Sequence, residues 1–139
     1  MKATTLILCV VVALAACKSR TQRDREAYLT LVSETERDYR IGPEQAYKAE
    51  TRMAEYVRNS IRQGVAFPDK TVLVWVYPRI ALAAEYAGRK EEAARMFAYS
   101  EDYRRQVYPG EPIDRSGRFK TLRDAVVFMD KNAGVPWLK

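Results

Sequence analysis

Histidine is absent from this chain of 139 residues, and cysteine occurs only at positions 9 and 17. Without an imidazole there can be no Ser-His-Asp triad, no Cys-His nucleophile and no Cys-His zinc site, because each needs a group the chain lacks. A Gly-rich phosphate loop, a DxDxDG calcium loop and an SxxK motif are missing too, so no cofactor or metal is expected. Strand-like runs are reduced to one, Thr71-Val72-Leu73-Val74-Trp75-Val76-Tyr77, with no second run to pair with it.

Carboxylates are then the only general acid or base candidates present in number. Glu34, Glu36 and Asp38 lie close together, as do Glu91 with Glu92 and Glu101 with Asp102. A retaining glycosidase needs two carboxyls about 5 Å apart in a cleft, one with a raised pKa. Each of these groups stands at a helix start or among arginines on a polar face, which reads as solvated helix surface. Asp114 and Ser116 fall in a Pro/Gly stretch and read as a surface loop.

What is present begins with Lys2 and the apolar run Leu6-Ile7-Leu8-Cys9-Val10-Val11-Val12. That run is shorter than the about 20 residues a comfortable membrane span needs, and it has the charge and apolar order of an export leader. Leu14-Ala15-Ala16-Cys17 follows, and it resembles the lipobox of bacterial lipoproteins. The resemblance implies a signal peptide over residues 1–16, with Cys17 thioether-linked to diacylglycerol, acylated again and made the new N-terminus. It also implies outer-membrane sorting, since Lys18 stands where an aspartate would favour the inner membrane. Two or more acyl chains anchor a protein stably where one binds marginally. With Cys9 removed and Cys17 acylated, no internal disulfide is possible, although the implied compartment is oxidising.

The remainder fits one domain, with a basic tether over residues 17–21 and a helical domain over 22–139. Of the 24 basic residues all but Lys2 remain, against 18 acidic ones. An exported chain does not meet nucleic acid, so an anionic lipid surface or an acidic partner is the fitting counterpart. Lys18, Arg20, Arg23 and Arg25 sit beside the anchor.

Apolar spacing predicts five helices in an all-α fold. Thr21-Gln22-Arg23-Asp24 has capping-box spacing and would open helix one, with Tyr28, Leu31, Val32 and Tyr39 on its stripe and Gly42 as a left-handed stop. Pro43 suits the first position of helix two, about residues 44–63. Ala46, Ala49, Met53, Tyr56, Val57, Ser60 and Ile61 would face inward, and Glu50, Glu55, Arg58 and Arg62 outward. Asp69 caps helix three, which runs to about residue 87. It is apolar almost all round despite Pro78, and is expected as a kinked helix in the middle of a bundle, with a buried strand over residues 71–77 as the alternative. Helix four spans about residues 90–107, with Ala93, Ala94, Phe97, Tyr103 and Val107 inward. After an irregular stretch over residues 108–117, Thr121 opens helix five, whose stripe is Leu122, Ala125, Val126 and Met129. An apolar tail, Val135-Pro136-Trp137-Leu138, packs back on the domain.

Helices three and four resemble a tetratricopeptide-type hairpin. Ala93 and Phe97 match the A-x₃-F half of that motif. Gly88 falls at the turn, and Tyr77, Ile80, Ala81 and Ala84 occupy the W, L, G and Y positions, while Arg105 replaces the closing proline. Tyr39 before Glu44-Gln45-Ala46 echoes Tyr86 before Glu91-Glu92-Ala93, so helices one and two read as a degenerate copy. The resemblance implies two antiparallel hairpins plus a C-terminal helix, and partner binding by analogy alone.

Nine tyrosines are more than the core needs, and tyrosine and arginine are enriched at binding hot spots. Tyr99, Tyr103, Arg104 and Tyr108 are therefore the expected contact surface for a protein partner. The expected function is a non-catalytic adaptor, pilotin-like or envelope-assembly factor tied to the bilayer through Cys17. A glycan- or peptidoglycan-acting enzyme using a carboxylate and a structural or surface-exclusion lipoprotein are the alternatives.

Overall fold

The computed structural model describes residues 19–139, so the leader and Cys17 lie outside the described residues. Five helices follow one another: α1 (Arg20–Tyr39), α2 (Pro43–Arg62), α3 (Lys70–Tyr86), α4 (Lys90–Val107) and α5 (Leu122–Asn132). Among the described residues there is no strand, and no helix is long and apolar enough to cross a membrane.

Local chemistry sets most of the boundaries. Asp69 Oδ1 accepts from the Thr71 N–H at 2.9 Å and starts α3, and Thr121 Oγ1 accepts from the Asp124 N–H at 3.1 Å and starts α5. At α1 the expected Thr21 cap is not used. Ser19 presents the same hydroxyl two residues earlier and accepts from the Gln22 N–H at 3.2 Å, so helix begins inside the stretch expected as tether. Gly42 is not a left-handed stop either. Its φ of 169° is extended backbone, and its carbonyl accepts from the Ala46 N–H at 2.8 Å as the N-cap of α2, with Pro43 opening that helix. The turn after α3 does need glycine: Gly88 has φ of 84°, and the Arg89 N–H then closes back on the Ala84 carbonyl at 2.9 Å.

Residues 71–77 are helical, which satisfies their backbone groups where an unpaired strand would leave them open. Pro78 sits inside α3 and is fully buried. As the composition of α3 predicts, it is the central helix, packed against α2, α4 and α5, while α1 packs on α2. Ala81, Leu82, Ala83 and Ala84 are completely buried, and their small side chains let α2 and α4 approach closely.

Two apolar clusters fill the two ends. Tyr28, Met53, Val57, Leu73, Val76, Tyr77 and Ile80 form one, and Tyr39, Ala46, Leu82, Val126, Val135 and Leu138 the other. The C-terminal tail does fold back: Val135 and Leu138 are buried, and the Trp137 indole N–H donates to the Tyr39 carbonyl at 2.6 Å. The echoed tyrosines Tyr39 and Tyr86 both touch the Trp137 ring, at 5.2 and 5.4 Å between centroids.

Four positions depart from the expected faces. Ile61, Ala94 and Met129, expected inside, are exposed. Glu50, expected outside, is buried. At α5 Leu122, Ala125 and Val126 are buried as expected, and only the last position of the stripe differs. The buried line runs Leu122, Val126, Asp130, and Asp130 takes the place expected for Met129.

Candidate functional site

Since α1 and α3 both lean on α2 without packing on each other, a groove of about 270 Å³ opens between them. Tyr28, Val32, Thr35 and Glu36 line it from α1, and Val72, Trp75, Val76 and Arg79 from α3. Glu50 and Met53 of α2 form the floor. The walls are largely apolar, and Glu36, Glu50 and Arg79 make one end ionic.

That ionic end is built around Arg79, the one cation within the apolar stretch of α3. Its Nη1 donates to Glu50 Oε1 at 2.9 Å and to Glu36 of α1, and its Nη2 donates to Asp130 Oδ1 of α5 at 3.2 Å. The guanidinium also lies 4.1 Å over the Tyr39 ring, whose hydroxyl donates to Asp130 Oδ2 at 2.7 Å. Four helices are thus joined by one side chain, with three carboxylates around one cation.

Burial and charge pull these groups apart. Desolvation raises the Glu50 carboxyl to about 8 against the opposing pull of Arg79, with Glu36 and Asp130 adding to the rise. Burial and the facing Asp130 push the Tyr39 hydroxyl far up. For Arg79 burial acts to lower the pKa, but the hydrogen bond to Glu36 and the charges of Glu50 and Asp130 outweigh it and raise it. Thr35, which also lines the groove, is buried, and its Oγ1 has no hydrogen-bond partner among the described residues.

A second depression of about 200 Å³ lies on the other side of Trp75, lined by Val74, Arg104, Tyr108 and the loop residues Glu111, Pro112 and Ile113. Trp75 is 39% exposed and forms the ridge between the two.

The four residues expected to form one contact surface are divided by the α3–α4 seam. Tyr99 and Tyr103 pack edge-on against Tyr77, with centroids at 5.0 and 5.1 Å, and the Tyr103 hydroxyl donates to the Lys70 carbonyl at 3.1 Å. Burial and the Tyr99 contact raise the Tyr77 hydroxyl to about 12. Arg104 and Tyr108 stand instead beside Trp75. Two residues along a helix turn the side chain by about 200°, so Trp75 and Tyr77 face opposite flanks of α3. Arg104 is also pinned, donating to the Glu111 carbonyl at 2.7 Å with Glu101 at 3.5 Å.

Six of the clustered and loop carboxylates are engaged by neighbouring groups. Glu36 joins the Arg79 cluster, Asp38 pairs with Arg37 and Arg52, and Glu92 accepts from the Tyr47 hydroxyl. Glu101 accepts from the Leu122 N–H, Asp102 pairs with Arg105, and Asp114 accepts from Ser116 and from the Arg118 N–H. No group of His, Cys, Asp and Glu among the described residues is placed to hold a metal ion.

Sequence reasoning missed Glu50, Arg79 and Asp130 as partners. A signal was present: Glu50 stands at helical spacing with Ala46, Met53 and Val57, and Asp130 with Leu122 and Val126. An arginine in an apolar central helix also requires buried carboxylates somewhere in the bundle. No family model matches this chain, and no curated protein or solved structure matches it.

Proposed function

We propose that this protein is a non-catalytic lipoprotein, held by acylated Cys17 on the periplasmic face of the outer membrane, that binds a protein partner. The observation that carries this reading is Trp75, a half-exposed ring on the central helix between an apolar-walled groove and a depression of mixed lining. Large aromatic side chains set among pockets are the usual anchors of protein interfaces. The resemblance of α3 and α4 to a tetratricopeptide hairpin favours the same class by analogy.

The groove indicates what the partner would present. Its walls accept aliphatic or aromatic side chains, and the half-exposed carboxylate of Glu36 stands at its ionic end with Glu50 and Arg79. A segment with apolar residues flanking a lysine or arginine is the matching chemistry. This moves the contact surface from Tyr99 and Tyr103 to Trp75 with Tyr108.

Catalysis by Glu50 is the competing reading, because a carboxyl raised to about 8 suits a general acid. An acid must reach the leaving group, whereas Glu50 is 1% exposed and its Oε1 faces Arg79. We therefore read the cluster as the element that fixes the groove's shape.

The test is retention of envelope proteins by the acylated protein in solubilised membranes. Trp75→Ala should lose a partner that the parent chain retains, and Tyr99→Phe, on the opposite flank, should keep it. An unchanged set with Trp75→Ala, or no retained partner at all, would overturn the reading. Muropeptide release that disappears with Glu50→Gln would favour the enzyme instead.

A further inference from the structure

We propose that the end of the bundle formed by the start of α1 and the α2–α3 loop is a lipid-contact face, with Phe67 entering the interface of an anionic leaflet. The proposal rests on the Cys17 anchor. The described chain begins at Ser19, two positions after that cysteine, and two residues of chain span at most about 7 Å. The start of α1 is thereby held at the bilayer surface.

The fold decides what accompanies it there. Because α2 returns antiparallel to α1, residues 63–69 come back to the anchored end. Phe67 meets the Tyr28 ring edge-on at 4.9 Å between centroids. Thr21, Asp24 and Arg25 of α1 line one depression of about 370 Å³ together with Val65, Ala66 and Phe67. Phe67 is nevertheless 45% exposed, and Ile61, one turn before the loop, is 41% exposed. Apolar side chains are thus presented outward where an anchored chain has least use for a soluble surface.

Charge agrees with this placement. Arg20, Arg23 and Arg25 on α1 and Arg62 and Lys70 beside the loop are exposed, against Asp24, Glu26 and Asp69. The Asp69 carboxylate is already engaged by the Thr71 N–H and hydroxyl. An aromatic ring at headgroup level ringed by arginine and lysine is the pattern that favours an anionic leaflet. Ile41 is more exposed still, at 65%, but lies at the other end of α1, about 30 Å away along a 20-residue helix.

Removal of Cys9 and acylation of Cys17 leave an introduced cysteine as the sole free thiol. Phe67→Cys and Ile41→Cys would each be labelled with an environment-sensitive fluorophore in the acylated protein. Each is then reconstituted into phosphatidylethanolamine vesicles containing phosphatidylglycerol and brominated lipid. Flotation with the vesicles reports the anchor, and quenching reports lipid contact. The expected result is flotation of both, with a blue-shifted, bromine-quenched probe at position 67 and an unquenched probe at position 41. Flotation with equal quenching at both positions, or a blue shift at 67 without quenching, as a covering protein would give, overturns the lipid face and leaves the anchor standing. Failure to float overturns the anchor and the face together.

Discussion

Arg79 of α3 holds Glu50 of α2 at 2.9 Å, in a site where Glu50 is 1% exposed. Burial of Arg79 is offset only by its pairing and hydrogen bonds to the carboxyls around it, so its loss leaves Glu50 and Asp130 buried without that partner. Arg79→Met should therefore destabilise the fold by about 3–5 kcal/mol. Adding Glu50→Gln to Arg79→Met should recover part of that loss, because the amide, unlike the carboxyl, takes up no proton on folding. Urea denaturation followed by far-UV circular dichroism measures both.

Glu50 also ties stability to pH. Its carboxyl is pushed up to about 8 in the fold, against 4.5 in the unfolded chain. Between these values the folded state binds the extra proton, so stability falls as pH rises through the window, by at most about 1.4 kcal/mol per pH unit, and levels off above it. Glu50→Gln should flatten this dependence. Denaturation midpoints from pH 5 to pH 9 give the slope for each chain.

The cap of α3 behaves in the opposite sense. Asp69 is held below the usual carboxylate range by the Thr71 hydroxyl and N–H. Its contribution is present near neutrality and is lost as pH falls through the carboxyl's own range. Asp69→Ala should cost about 1 kcal/mol at neutral pH, seen as a lower thermal midpoint, and the gap from the parent should narrow under acid.

The tail and α5 offer a paired comparison. Leu138 is 4% exposed and packs near Tyr39 and Val126, whereas Met129 is 41% exposed. Leu138→Ala should cost about 2–5 kcal/mol, and Met129→Ala less than about 0.5 kcal/mol. Equal costs would show that α5 presents a different face to the core.

Anchoring has a direct readout. Cys17→Ser should move the protein from the membrane pellet to the soluble fraction. The mass of the parent should show a diacylglycerol adduct and added acyl chain on Cys17. An intact start methionine, or an unmodified thiol at position 17, would remove the export reading.

Helix identity was legible wherever the deciding interaction is local. Asp69, Thr121 and Pro43 mark helix starts because a side chain or ring acts on backbone within three residues. The all-round apolarity of α3 foretold its central position. Local signals failed where two neighbours offer the same chemistry: Ser19 and Thr21 carry equivalent hydroxyls, and spacing alone does not choose between them. The face of Glu50 was misread, and Asp130 was left out of the α5 stripe, because a charged residue on an apolar stripe is ordinarily solvated.

The sequence by itself determined the absence of imidazole chemistry, the helical class and the central position of α3. Those follow from composition and from periodicity over a few turns. Only the tertiary structure decided that Arg79 would gather Glu36, Glu50 and Asp130, that Tyr103 and Arg104 would be separated by a seam, and that Phe67 would stand beside the start of α1. Each of these depends on which helix faces cross at which rotation. One residue of rotation is about 100°, enough to turn a solvated carboxylate into a buried one.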